Sequence, residues 1–289
     1  MLDGALIAVR LGLYASLTLG FGLAVFALGR AGPPPGLRPV LGVAFAAGLL
    51  CSVLWLVVSA AAISGGAPEA EAIGALLAAP GMGTAWLVRT AALALALALT
   101  RVGGRRALQA IVAASGVALG SLAWIGHGAA GEGSSGALHL GGDLLHLLAS
   151  GVWVGALAGL LLLLWRGAAP AAHAALRDFS AVGTTVVALL TATGLLNAWR
   201  LVGLAGVPAL GRSVYGQLLL AKLALFGFML LLAAANRWRL TPAYGRAIAA
   251  GDDPAAVGAL RCSLVLEAGA ALVILALVAW LGTLEPPAR

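Results

Sequence analysis

Three of the four histidines fall within 20 residues of one another, in Trp124-Ile-Gly-His127 and then His139-Leu-Gly-Gly-Asp143-Leu-Leu-His146. If 139–146 is helical, His139, Asp143 and His146 stand at i, i+4 and i+7 and share one stripe. His127, at the end of the preceding antiparallel segment, can approach that stripe. Three imidazoles and a carboxylate form the donor set of a first-row metal site, and imidazole suits copper and zinc. A plainer alternative stays open: Asp143 orients His146 or caps the helix start, and His127 is a solvated loop residue. His173 lies in a connecting segment and is read as having no ligand role.

A second set of polar residues sits inside apolar runs, where each ionisable group is costly and a functional candidate by default. Arg10 and Arg89 are read as snorkelling towards headgroups. Lys222 is deeper, and Asn197 lies near the end of its run. Glu267 stands about 10 Å into the last run at 1.5 Å per residue. It is either an inner polar station or the partner of an arginine such as Arg237 or Arg261. Cationic groups near the histidines disfavour a bare metal ion, and would instead suit an anionic ligand or an ion pair with Asp143. With only Met1, Met82 and Met229, and with Cys51 and Cys262 far apart in sequence, no ladder of soft ligands crosses the chain.

The elements that must hold these groups follow from composition. Of 289 residues, 62% are hydrophobic and 9% charged, whereas an ordinary soluble domain carries about 25% charge. That excludes a soluble enzyme, a nucleic-acid-binding domain and a disordered chain. About 20 apolar residues cross a bilayer, which places eight helices at about 5–28, 40–63, 84–100, 107–126, 141–165, 179–200, 214–235 and 261–283. The fold class is all-α, a polytopic bundle without strands, since the runs are long, rich in Ala and Leu, and do not alternate. It reads as one continuous membrane domain in two parts, residues 1–126 and 127–289.

Basic residues orient the bundle. Arg30, Arg38, Arg101, Arg105, Arg106, Arg166, Arg177, Arg237, Arg239, Arg246 and Arg261 fall in alternate loops, while the opposite ones hold Glu69, Glu71 and Glu132, with only Arg200 and Arg212 flanking the sixth loop. By the positive-inside rule both termini, and the histidine cluster with them, face the periplasm. Most tryptophans lie near predicted span ends; Trp55 and Trp153 do not. The longest connection, about 236–260, is too short for a soluble domain, and no phosphate-binding or dinucleotide fingerprint occurs. A catalytic role is not expected.

The stretch Gly142-Asp-Leu-Leu-His-Leu-Leu-Ala-Ser-Gly-Val-Trp-Val-Gly155 resembles the Asp-x-x-His…Trp-x-Gly segment of the bacterial copper-resistance membrane proteins called CopD. The likeness continues through Phe179-Ser-Ala-Val-Gly183, Thr193-Gly194 with Asn197, Tyr215-Gly-Gln-Leu-Leu-Leu-Ala-Lys222, Asn236-Arg237, Glu267, and Leu281-Gly-Thr-Leu-Glu-Pro-Pro287. It covers roughly residues 124–287. The resemblance implies an eight-span inner-membrane protein that handles copper and moves it from periplasm towards cytoplasm. A small periplasmic copper-binding protein would be its partner. His127, Asp143 and His146 match the family's polar positions, and His139 is added by helical spacing. The expected ligands are thus His127, His139, Asp143 and His146, with Asn197, Lys222 and Glu267 along the path. Two other readings remain: a membrane redox protein whose His127 and His146 ligate haem or a metal, and a module that binds copper for a partner without transport.

Overall fold

The computed structural model describes residues 2–30, 36–125, 133–203, 206, 208, 210–250 and 254–285. The described residues form helices and no strand: α1 Leu2–Leu28, α2 Leu37–Ile63, α3 Ala70–Ala78, α4 Met82–Leu99, α5 Arg105–Gly120, α6 Gly133–Trp165, α7 Ala169–Val202, α8 Val214–Ala235, α9 Thr241–Ala250 and α10 Pro254–Leu281. Helix is what lipid permits, because every backbone N–H and C=O is satisfied within the segment. Among the described residues eight stretches are long and apolar enough to cross a membrane, one for each expected span. Arg10 Nη1 donates to the carbonyl of Gly282 at 2.8 Å, so the start of α1 and the end of α10 lie at one end of the bundle.

The central packing joins α1 to α6. A Cβ at Gly22 would run into the carbonyl oxygen of Gly151, and one at Gly155 into the Gly22 backbone. These glycines therefore let two helix backbones meet directly, as small residues do in membranes. Around this crossing, α1, α2, α4 and α5 share one core that includes Leu17, Phe45, Leu93 and Leu119. A second core gathers α6, α7, α8, α9 and α10 around Trp153, Leu160, Tyr244 and Leu264.

Three connections are more helical than the sequence suggested. The loop after the second span contains α3, which has Glu71 in its first turn, where a carboxylate favours the helix dipole. The segment 236–250, read as loop, continues α8 through a π-helical turn, Asn236–Leu240, into α9. His173, also read as loop, lies on α7, with its ring edge-to-face with Tyr244 of α9 at 6.1 Å.

Candidate functional site

One face of α6 carries His139, Asp143, His146, Ser150 and Trp153 in register, a polar stripe that starts at the terminal end of the bundle and runs inward. Against its first turns packs α7. Gly142 permits the approach: a Cβ there would stand 3.1 Å from Leu196 Cδ2. Thr193 and Asn197, at i and i+4 of α7, thereby face α6.

In this outer cluster Asn197 Nδ2 donates to Asp143 Oδ1 at 2.6 Å, and His139 Nε2 lies 3.8 Å from Asp143 Oδ2. His146 Nδ1 is 2.9 Å from Thr193 Oγ1. The Thr193 hydroxyl proton is already given to the Leu189 carbonyl at 2.6 Å. Its oxygen is therefore the acceptor, His146 carries its proton on Nδ1, and Nε2 keeps a free lone pair. Fixing one ring nitrogen to present the other is how metal-binding imidazoles are held. Lys222 of α8 acts electrostatically on both Asp143 and His146. The structure thus brings His139, Asp143 and Asn197 together, with His146 held by Thr193 one turn further along α6 and Lys222 within electrostatic reach. His127 lies outside the described residues. Among the described residues no three His, Cys, Asp or Glu side chains converge closely enough to hold a metal ion.

Further along the stripe is an inner cluster. Glu267 of α10 is 2% exposed; Trp153 Nε1 donates to its Oε1 at 2.6 Å, and Asn236 Nδ2 to its Oε2 at 2.9 Å. Its partners are therefore not Arg237 or Arg261. Arg237 instead donates to the Ser180 carbonyl and the Thr184 hydroxyl, and Arg261 to the Leu164 carbonyl. The π-helical turn begins at Asn236 and brings its amide to Glu267. Such turns often occur at functional positions. Sequence reasoning gave no role to Trp153, Thr193 or Asn236; the available signals were that the family resemblance runs through all three and that Trp153 stands away from a span end.

Arg89 does not snorkel. Arg10 ties the end of α10 to α1 and reaches the Tyr14 hydroxyl at 3.3 Å. Arg89 is completely buried between α1, α2 and α4. Its Nε donates to Ser52 Oγ at 3.1 Å, and the guanidinium lies 5.6 Å from the Trp55 ring centroid.

Two family models match the chain: "Copper resistance protein D-like, N-terminal domain" over residues 1–137 and "Copper resistance protein D" over residues 173–281. The chain is 40% identical to copper resistance protein D of Pseudomonas syringae pv. tomato, across 99% of this chain and 98% of that protein. It is 33% identical to inner membrane protein YebZ of Escherichia coli, across 57% of this chain and 55% of that one. Copper transport protein CutJ of Bacillus subtilis shares 40% identity over 32% of this chain and 17% of its own length. No solved structure matches. With one relative similar over nearly the whole of both chains, and with eight membrane-crossing helices, this chain belongs to the copper resistance protein D family of multi-pass membrane proteins.

Proposed function

We propose that the protein binds copper from the periplasm at the outer cluster and moves it through the bacterial inner membrane towards the cytoplasm. The observation that carries this reading is His146, whose Nδ1 is committed to Thr193 one helical turn along α6 from the Asp143–Asn197 pair. His146 is the primary ligand, joined by at least one of His127 and His139. Asp143 ligates or orients an imidazole, with its own position set by Asn197. The relatives named for copper resistance and copper transport support copper as the cargo. The helix packing supports one continuous membrane unit in two parts, 1–126 and 127–289. A small periplasmic copper-binding protein delivers or receives the ion at the terminal end. Lys222 limits the ion's charge at the outer cluster; below it the ion follows the polar face of α6 past Ser150, and the Glu267 carboxylate offsets its charge from a distance without ligating it. Without a methionine or cysteine ladder, passage relies on hard and borderline groups.

Replacing His146 by Ala should weaken copper binding by about tenfold or more, the range typical for loss of groups that hold a metal site. Isothermal titration of the purified protein measures it. Unchanged affinity and stoichiometry in the His127→Ala/His146→Ala double variant would sink the site. Glu267→Gln should slow copper uptake into vesicles while the outer site still binds copper. A Soret band in the purified protein would replace this reading with the haem one.

A further inference from the structure

We infer that Glu267, with Asn236 and Ser263, forms a proton-binding site in the interior of the bundle, whose proton is released when a cation occupies the outer cluster. Three observations converge. Glu267 is almost fully buried, and among the described residues no cation lies within 4.0 Å of it. Its two oxygens are each held by one N–H, from Trp153 and from Asn236. Two buried oxygens of the same neighbourhood, Asn236 Oδ1 and Ser263 Oγ, have no hydrogen-bond partner among the described residues. Ser263 is one helical turn from Glu267 on α10 and shares its face.

This arrangement can satisfy both forms of the carboxyl group. Ionised, Glu267 accepts from Trp153 and from the Asn236 amide nitrogen. Protonated, it becomes a donor as well, and a half-turn of the Asn236 amide presents the orphaned Oδ1 to the new O–H. The Ser263 hydroxyl can give or take a hydrogen bond in either state. No bond other than O–H forms or breaks: the carboxylate takes one proton from water and later returns it. A metal ion fits less well, because both carboxylate oxygens already face the positive ends of N–H groups. A bare carboxylate without a counter-ion is also costly inside a membrane, whereas the acid is not.

The ionisable groups facing this site leave it uncompensated. Arg10 on α1 is held at the far end by Gly282, and Arg237 is bonded to α7. Lys222 on α8 acts on Asp143, and Tyr244 on α9 and Arg261 on α10 lie at the inner end. His146 on α6 stands seven residues from Trp153, about 10 Å along the helix at 1.5 Å per residue. A unit charge about 10 Å away, at an effective dielectric of about 20, changes proton affinity by roughly tenfold or more. A cation at the outer cluster therefore favours loss of the Glu267 proton. Only this coupling rests on the copper reading; the proton site does not.

Infrared difference spectroscopy of the full-length protein in lipid, between acid and alkaline samples free of sodium and copper, tests the site. A protonated carboxyl band that titrates, vanishes in Glu267→Gln and moves in Trp153→Phe is expected. The second variant keeps the assignment testable if the first does not fold. No Glu267-dependent band across the physiological pH range would overturn the proposal, as would a band that responds to sodium at constant pH. In weakly buffered solution, copper addition should release more protons from the parent than from Glu267→Gln, by up to about half a proton for a tenfold change in affinity. Equal release would overturn the coupling. Failure of the parent to bind copper would instead overturn the copper reading, while the infrared band still decides the proton site.

Discussion

Each half of the bundle buries one charge beside a tryptophan far from the span ends, and the two halves treat that charge in opposite ways. In the first, Arg89 has the face of Trp55 and one hydroxyl, Ser52 Oγ, while Nη1 and Nη2 find no partner among the described residues. In the second, Glu267 has the N–H edge of Trp153 and the amide of Asn236, so both of its oxygens are satisfied. An indole offers a negative face to a cation and a positive edge to an anion. The difference lies in what can change. A guanidinium is always protonated, so Arg89 is a fixed charge in its core. A carboxyl group can be neutral or charged, and it lies on the side of the bundle that carries the histidine stripe.

The comparison breaks hardest at Trp153. Trp153→Ala removes a buried ring and strands a carboxylate, and should cost about 3–5 kcal/mol. Trp153→Phe keeps the ring but not the N–H, and should still cost about 1–3 kcal/mol for the unmade hydrogen bond. Unfolding in mixed detergent measures both. If Trp153→Phe is neutral, the N–H edge is incidental and the contrast with Trp55 fails.

At Arg89 the sign should reverse. Arg89→Met replaces an uncompensated buried charge by an apolar chain of similar length, and such exchanges are often neutral or stabilising by about 1–4 kcal/mol. A higher melting temperature for Arg89→Met is the expected result. A loss of several degrees would mean that the guanidinium has a partner essential to this half.

These outcomes bear on what the sequence made legible. The eight spans were readable because lipid requires long apolar runs, and the stripe His139, Asp143, His146 because helical period alone places it. Arg89 was misread from its depth below the span end, when rotation about the helix decides its surroundings. Ala85, Arg89, Ala92, Leu93 and Ala96 share the buried face of α4, a pattern present in the sequence. The Asn197–Asp143 bond was not readable, because it depends on the register between α6 and α7 that Gly142 and Leu196 set. Nor was the π-helical turn at Asn236, since arginines at 237 and 239 resemble those of a loop and the local pattern does not reveal an inserted residue.

Trp55→Phe sharpens the comparison from the other side. It retains an aromatic face over the guanidinium, so only the difference between indole and benzene is lost, about 0.5–1 kcal/mol for an aromatic–cation contact. Trp55→Phe should thus be milder than Trp153→Phe in the same assay. Equal losses would show that bulk, rather than face or edge, is what both positions require.

The smallest effect is expected at Glu267 itself. Glu267→Gln keeps the size of the side chain and one oxygen to accept from Trp153. The new amide nitrogen would oppose Asn236 Nδ2, but Asn236 can turn its orphaned Oδ1 to meet it. The hydrogen bonds are weaker without the charge, while the cost of burying that charge disappears, so the two terms oppose each other. The net change in stability should lie within about 0.5 kcal/mol. A much larger loss would mean that the ionised carboxylate is needed to hold α6, α8 and α10 together, and that Glu267 is as fixed a charge as Arg89. A near-neutral result combined with slower copper uptake would separate function from folding at this residue. Only the carboxyl group's ability to change charge would then distinguish the second half of the bundle from the first.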